Sequence, residues 1–202
     1  MSNKVLNNFF INQIEEHRKI AERCKSELKK PFINIVDICC NSLKKKKKIL
    51  FFGNGGSASD AQHLSTELTV RFSENRKPIS AISLSTDTST LTAIGNDFGF
   101  EHIFSRQIDA LGNPGDIAIA ITTSGKSKNV IKGLQMAKKK GLKCISFTGR
   151  NLSLISKFSD EIISIPSKNT SRIQEMHIMV GQMLCNAIEY KLNIASLIKE
   201  EE

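Results

Sequence analysis

A chain of 202 residues with 40% hydrophobic and 24% charged residues has room for one α/β domain and too little for two ordinary ones. No apolar run approaches the ~20 residues of a bilayer span, and the opening MSNKVLNNFFINQIEEH has no signal-peptide core with a cleavage site, so a cytoplasmic protein is expected. The formal charge of +9 raises the question of nucleic acid, but Trp is absent, Tyr190 is the only tyrosine, and no aromatic interleaves with the basic runs, so no specific nucleic-acid partner is expected.

In chain order, residues about 3–29 place Leu6, Phe10, Ile14, Ala21, Cys24 and Leu28 at helical spacing. Pro31 punctuates, and Phe32 to Val36 opens a second helix that ends in the lysine run Lys44 to Lys48. That run and Lys138 to Lys140 sit at expected helix ends, where cations complement the macrodipole and stay solvated. Ile49-Leu50-Phe51-Phe52 reads as a buried parallel strand delivering Gly53-Asn54-Gly55-Gly56-Ser57 at its carboxyl end. Then follow a helix over about 59–72, a strand over 79–84, helical stretches near 88–96 and 101–111, and a strand over 117–121. A helix over 128–140, a strand over 143–147, a short helix near 152–157, a strand over 162–165 and a long helix over about 171–194 complete the pattern. Alternation of this kind predicts a doubly wound, flavodoxin-like five-stranded parallel sheet with helices on both faces. The N-terminal helical pair spans about 3–46 within a single domain, with neither repeat nor linker. Five cysteines without CxxC spacing fit free, buried thiols better than disulfides.

Four groups could carry chemistry. The glycines of the loop 53–57 allow positive φ and close approach to a ligand, and serve equally well as a tight strand-to-helix turn. Thr122-Thr123-Ser124-Gly125-Lys126-Ser127 again joins a strand to a helix, with four hydroxyls in six residues. One hydroxyl suffices for an N-cap, so a phosphate cradle is the better reading. His63 and Glu67, four apart on a helix, share a face and suit a metal, a base with its orienter, or an ion pair. On the last helix Gln174 and Gln182 can share a face, whereas His177 is less easily brought to it. Asn96 and Asp97 suggest only a turn, and Arg71 is either an anion ligand or a surface charge.

Together, Gly53-Asn54-Gly55-Gly56-Ser57, Asp60-Ala61-Gln62-His63, Glu67-Leu68-Thr69, Gly95 to Phe100, Phe104-Ser105-Arg106, Thr123-Ser124-Gly125, Asn129-Val130-Ile131 and Arg172-Ile173-Gln174-Glu175 resemble the phosphoheptose isomerases of the sugar isomerase (SIS) superfamily, over about residues 10–192. The resemblance implies a homotetramer that converts sedoheptulose 7-phosphate to D-glycero-D-manno-heptose 7-phosphate, the entry to nucleotide-activated heptose for bacterial lipopolysaccharide or capsule. It implies substrate contacts from Asn54, Gly55, Ser57, Arg71, Asn96, Asp97, Thr122, Thr123, Ser124, Ser127 and Gln174, and zinc on His63, Glu67, Gln174 and a further ligand at Gln182. Glu67 is the implied base of an enediol mechanism, beside the phosphosugar pocket. Two positions depart from the family pattern: Gln182 stands where the family has a histidine acid–base, and Ser171 where it has an acidic residue. A glutamine cannot exchange a proton near neutral pH, which keeps open a non-catalytic phosphosugar-binding SIS protein, a sensor or scaffold like the initiator-binding relative of these enzymes.

Overall fold

Ile49–Gly53 (β1), Ile117–Thr122 (β3) and Lys143–Thr148 (β4) are almost wholly buried, because they are central strands covered on both faces; β1 and β3 are nearly continuous apolar runs, and β4 mixes Cys144, Ile145 and Phe147 with the buried hydroxyls of Ser146 and Thr148. Between and around them lie Ala81–Ser83 (β2) and Glu161–Ser164 (β5) at the edges. In this computed structural model, which describes residues 2–73, 75–152 and 154–192, the strands pair in parallel in the order β2-β1-β3-β4-β5. That is the doubly wound, flavodoxin-like order, with its switch point between β1 and β3.

Alternate strand residues feed two separate cores. Ile49, Phe51, Ile117, Ile119, Ile121, Ile145 and Phe147 face a layer of four helices: Asn3–Glu27 (α1), Lys29–Lys44 (α2), Gly56–Thr69 (α3) and Thr170–Lys191 (α7). Leu50, Phe52, Ala118, Ala120 and Cys144 face the other layer, Thr88–Phe98 (α4), Ile103–Leu111 (α5) and Lys128–Lys139 (α6). All five cysteines are free and buried. Burial pushes the Cys24 thiol up to about 11 and that of Cys144 to about 12, and raises Cys39, Cys40 and Cys185 as well.

Several boundaries differ from the sequence expectation. The first two helices break at Leu28, and Pro31 lies inside the first turn of α2, where its missing N–H costs nothing. Helix α3 begins three residues early, at Gly56, because Gly55 (φ 57°) reverses the chain in a single step. β2 is shorter than expected because only its central residues register against β1. The last helix is followed to Lys191, and positions 193 and 194 of the expected span lie outside the described residues. Lys48, assigned to a solvated run, is instead paired at 2.5 Å with Asp116, whose side chain is 2% exposed. Asp116 also accepts from the main-chain N–H of Lys48 and of Asn113, tying together the starts of β1 and β3.

Candidate active site

The carboxyl ends of β1 and β3 open the crevice where doubly wound sheets bind ligands. Gly53 ends β1 where a Cβ would lie 2.7 Å from the Ile121 carbonyl and 2.8 Å from the Ser57 Cβ, so no side chain fits. Asn54 and Asn129 exchange two amide hydrogen bonds of 2.9 and 2.8 Å across the switch point. The Asn54 amide is therefore partly engaged inside the protein. Asn54, Ser127, Lys128 and Asn129 line a cleft of about 290 Å³ with Phe100 and Glu101.

The hydroxyl loop hangs beside it. Thr122 is buried, with its Oγ1 3.5 Å from Ser127 Oγ, while Ser124 is exposed. Ser127 is the N-cap of α6 yet makes no side-chain capping bond. Capping therefore does not consume the Ser127 hydroxyl, whereas Ser124 Oγ accepts from the Lys126 N–H at 3.2 Å and the Val130 N–H, in the first turn of α6, donates to Asn129 Oδ1 at 2.9 Å. Gly125, at φ 65°, is wedged against the Thr148 side chain and the Asn151 carbonyl. Ser57 is buried at the head of α3. Gln174 belongs to this half as well: its amide packs so closely on Gly56 that a Cβ there would clash with it.

A second cluster lies further along α3. His63 Nε2 is 2.9 Å from Glu67 Oε1, and Gln182 Nε2 is 2.9 Å from His63 Nε2 and 3.3 Å from Glu67 Oε1. Helices α3 and α7 run parallel, Gly56 meeting Gln174 and Leu64 meeting Gly181, so Gln182 arrives opposite the third turn of α3. The helix carries these residues away from the loops, since α3 leaves the strand ends and runs back along the sheet. Glu67 is eleven residues past Gly56, about 16 Å along the axis. Near it, Leu68 and Thr69 bond to Ile79 and Ala81, at the amino-terminal edge.

The expectation that Glu67 stands beside the Ser124–Ser127 pocket is thus corrected within one chain: the loop half and the Glu67 half occupy different ends of α3. The four expected metal ligands divide in the same way. His63, Glu67 and Gln182 converge, whereas Gln174 makes no hydrogen bond to any of them among the described residues. An imidazole nitrogen, a carboxylate and an amide that can turn its oxygen inward suit a divalent cation with open positions for water. Among the described residues no group of three His, Cys, Asp or Glu gathers, because the third member here is an amide.

The remaining expected residues lie at the periphery. Arg71 is exposed just beyond α3, at the Glu67 end. Asn96 donates to its neighbour Asp97 at 2.7 Å on the exposed end of α4. His177 is fully buried against Phe147, ring centroids 5.9 Å apart, and so lies away from the face that Gln182 presents to His63 and Glu67. Burial lowers its pKa to about 4, so the ring is neutral. Sequence reasoning quoted Asn129 only within a motif, with no role of its own, and missed Arg76 and Glu189, which form a buried ion pair behind Glu67.

The doubly wound sheet, with its two strand-end loops at the switch point, is that of an SIS-domain protein, and the SIS domain model matches residues 12–149. The chain is 50% identical over 181 residues to a phosphoheptose isomerase of Paramagnetospirillum magneticum, covering 90% of this chain and 94% of that protein. It is 52% identical over 157 residues to the Aquifex aeolicus phosphoheptose isomerase, covering 78% and 82%. The solved phosphoheptose isomerase of Neisseria gonorrhoeae superimposes with a TM-score of 0.87 at 37% identity, covering 92% of this chain and 99% of that one. The chain belongs to the phosphoheptose isomerase family of SIS-domain proteins.

Proposed function

We propose that the protein isomerises sedoheptulose 7-phosphate to D-glycero-D-manno-heptose 7-phosphate, in an active centre that two copies of the chain build together. The observation that carries this reading is the separation along α3: a hydroxyl-rich loop at one end, and a carboxylate held by an imidazole and an amide at the other. Each half is complete in itself, and neither reaches the other within one chain. A homotetramer that sets the Glu67 end of one copy against the loop end of another supplies both to one sugar.

In such a centre Thr122, Thr123, Ser124, Ser127 and Ser57 grip the phosphate with the first amides of α6, and Asn54, Gly55 and Gln174 line the sugar. Asn96, Asp97 and Arg71, all facing solvent in one chain, are placed to join from a neighbour. Glu67 takes a proton from C1 of the ketose; that electron pair forms the C1–C2 double bond as the carbonyl pair moves onto O2, which takes up a proton to give the enediol, and the aldose forms when the O1 proton is lost, C1 becomes the carbonyl and Glu67 returns its proton to C2. His63 is the member of the trio whose ring type exchanges protons near neutrality, while Gln182 contributes hydrogen bonding only. Zinc, if bound, is held by His63, Glu67 and Gln182, and supplies polarisation of the sugar carbonyl. The product class is an activated-heptose precursor for surface polysaccharide, made in the cytoplasm.

Subunit complementation tests the reading. Glu67→Gln and Ser124→Ala/Ser127→Ala proteins should each be inactive alone. Co-refolded in equal amounts, they should recover about a quarter of wild-type turnover, because random pairing leaves that share of intact mixed sites. No recovery would overturn the two-copy centre. Wild-type protein that is inert with and without zinc, yet thermally stabilised by the sugar phosphate, would mark a binder instead of an enzyme.

A further inference from the structure

We infer that Arg76 and Glu189 are positioning residues that fix Glu67 through its main chain, an inference that rests on Glu67 being the base. Helix α3 ends at Thr69, so the carbonyls of its last turn need partners from elsewhere. Arg76 supplies them: Nη2 donates to the Glu67 carbonyl and Nη1 to the Leu68 carbonyl, both at 2.8 Å. Its Nε donates to Glu189 Oε1, which also accepts from the Phe72 N–H at 2.9 Å. The two side chains are 1% and 0% exposed.

Glu189 lies seven residues beyond Gln182 on α7, within about 20° of the same face. That face therefore holds Glu67 twice. Gln182 meets the carboxylate at 3.3 Å, and Glu189 anchors the guanidinium that meets the carbonyl of the same residue. Packing and one main-chain bond already secure the end of α3, since Leu64 and Leu68 are fully buried and the Leu68 carbonyl also accepts from the Ile79 N–H at 3.0 Å, so Arg76 is a second partner there. A buried ion pair is a poor choice for stability, because apolar residues of like volume usually serve as well or better. What the pair adds is a rigid fork on the backbone of the residue that must meet a carbon-bound hydrogen, where a misplacement of ~1 Å costs on the order of a hundredfold in rate.

The test is steady-state kinetics with sedoheptulose 7-phosphate on Arg76→Met/Glu189→Leu, which removes both charges and keeps the volume. With thermal midpoint and oligomer size near wild type, kcat should fall about tenfold or more while KM stays within about threefold, because the phosphate grip lies at the other loops. A folded double variant with kcat within twofold of wild type overturns the inference. Should that variant fail to fold, Arg76→Lys decides by the same criteria, since it keeps a cation on Glu189 but cannot fork onto two carbonyls. Glu67→Gln runs alongside: if it retains turnover, the base assignment itself falls, whereas a dead Glu67→Gln beside an unimpaired double variant sinks the positioning role alone.

Discussion

Gln182 occupies the one position where a proton exchanger would complete the trio. Its amide nitrogen already lies 2.9 Å from His63 and 3.3 Å from Glu67, so a histidine there needs no new geometry to reach either. Gln182→His is therefore expected to raise kcat about tenfold or more, the low end of what a positioned acid–base group contributes. KM should barely move, and an unchanged kcat would show that the wild-type centre already has its acid elsewhere. Sequence alone made His63, Glu67 and Gln182 legible, the first two through their spacing of four and the third through its mismatch with the family. It did not make their placement legible. The helix expected to set Glu67 beside the pocket carries it down the sheet instead, a consequence of helix direction that no local pattern encodes. Arg76 and Glu189 were invisible for a related reason, since a pair 113 residues apart leaves no periodic trace.

At the level of elements, the strands with continuous apolar runs were plain in the sequence, whereas β2, an edge strand with one buried residue, was overextended. The hydroxyl loop was legible as a strand-to-helix turn at the carboxyl end of β3, where the structure places it before α6 with Ser127 at the N-cap. Helix α7 carries a further, quieter load in His177. Unfolded, this ring binds a proton near 6.5; folded, burial holds it unprotonated down to about 4. The unfolded state therefore takes up more protons between those values, and stability from this source, fully present above pH 6.5, is lost as pH falls toward 4. The full loss is about 3 kcal/mol. Urea unfolding at pH 7, 5.5 and 4.5 should show His177→Leu gaining on wild type at each step down. Parallel curves would mean that the ring is solvated in the folded state.

The whole molecule leaves a broad apolar surface open in a single chain. Val5, Leu6, Phe9, Phe10 and Ile14 form a stripe on the first half of α1, with Phe9 61% and Phe10 64% exposed. Further along, α1, α2 and α7 bound an apolar groove of about 510 Å³ lined by Ala21, Cys24, Leu28, Phe32, Met179 and Met183. Surfaces of this kind are covered when copies of a chain associate. Phe9→Glu/Phe10→Glu should yield smaller particles by light scattering, with the helical circular dichroism signal kept and turnover lost. Full activity in a dissociated chain would contradict the shared centre.

The sealed thiols give the experimenter a built-in clock. A thiol reacts as its thiolate, and every cysteine here is both hidden from solvent and held as the neutral form. Alkylating reagents can touch Cys39, Cys40, Cys144 and Cys185 only when a layer of helices lifts off the sheet, whereas Cys24 lines the groove. Cys39, Cys40 and Cys185 time the opening of one face and Cys144 that of the other, so labelling rates read separately would tell which side of the protein breathes first.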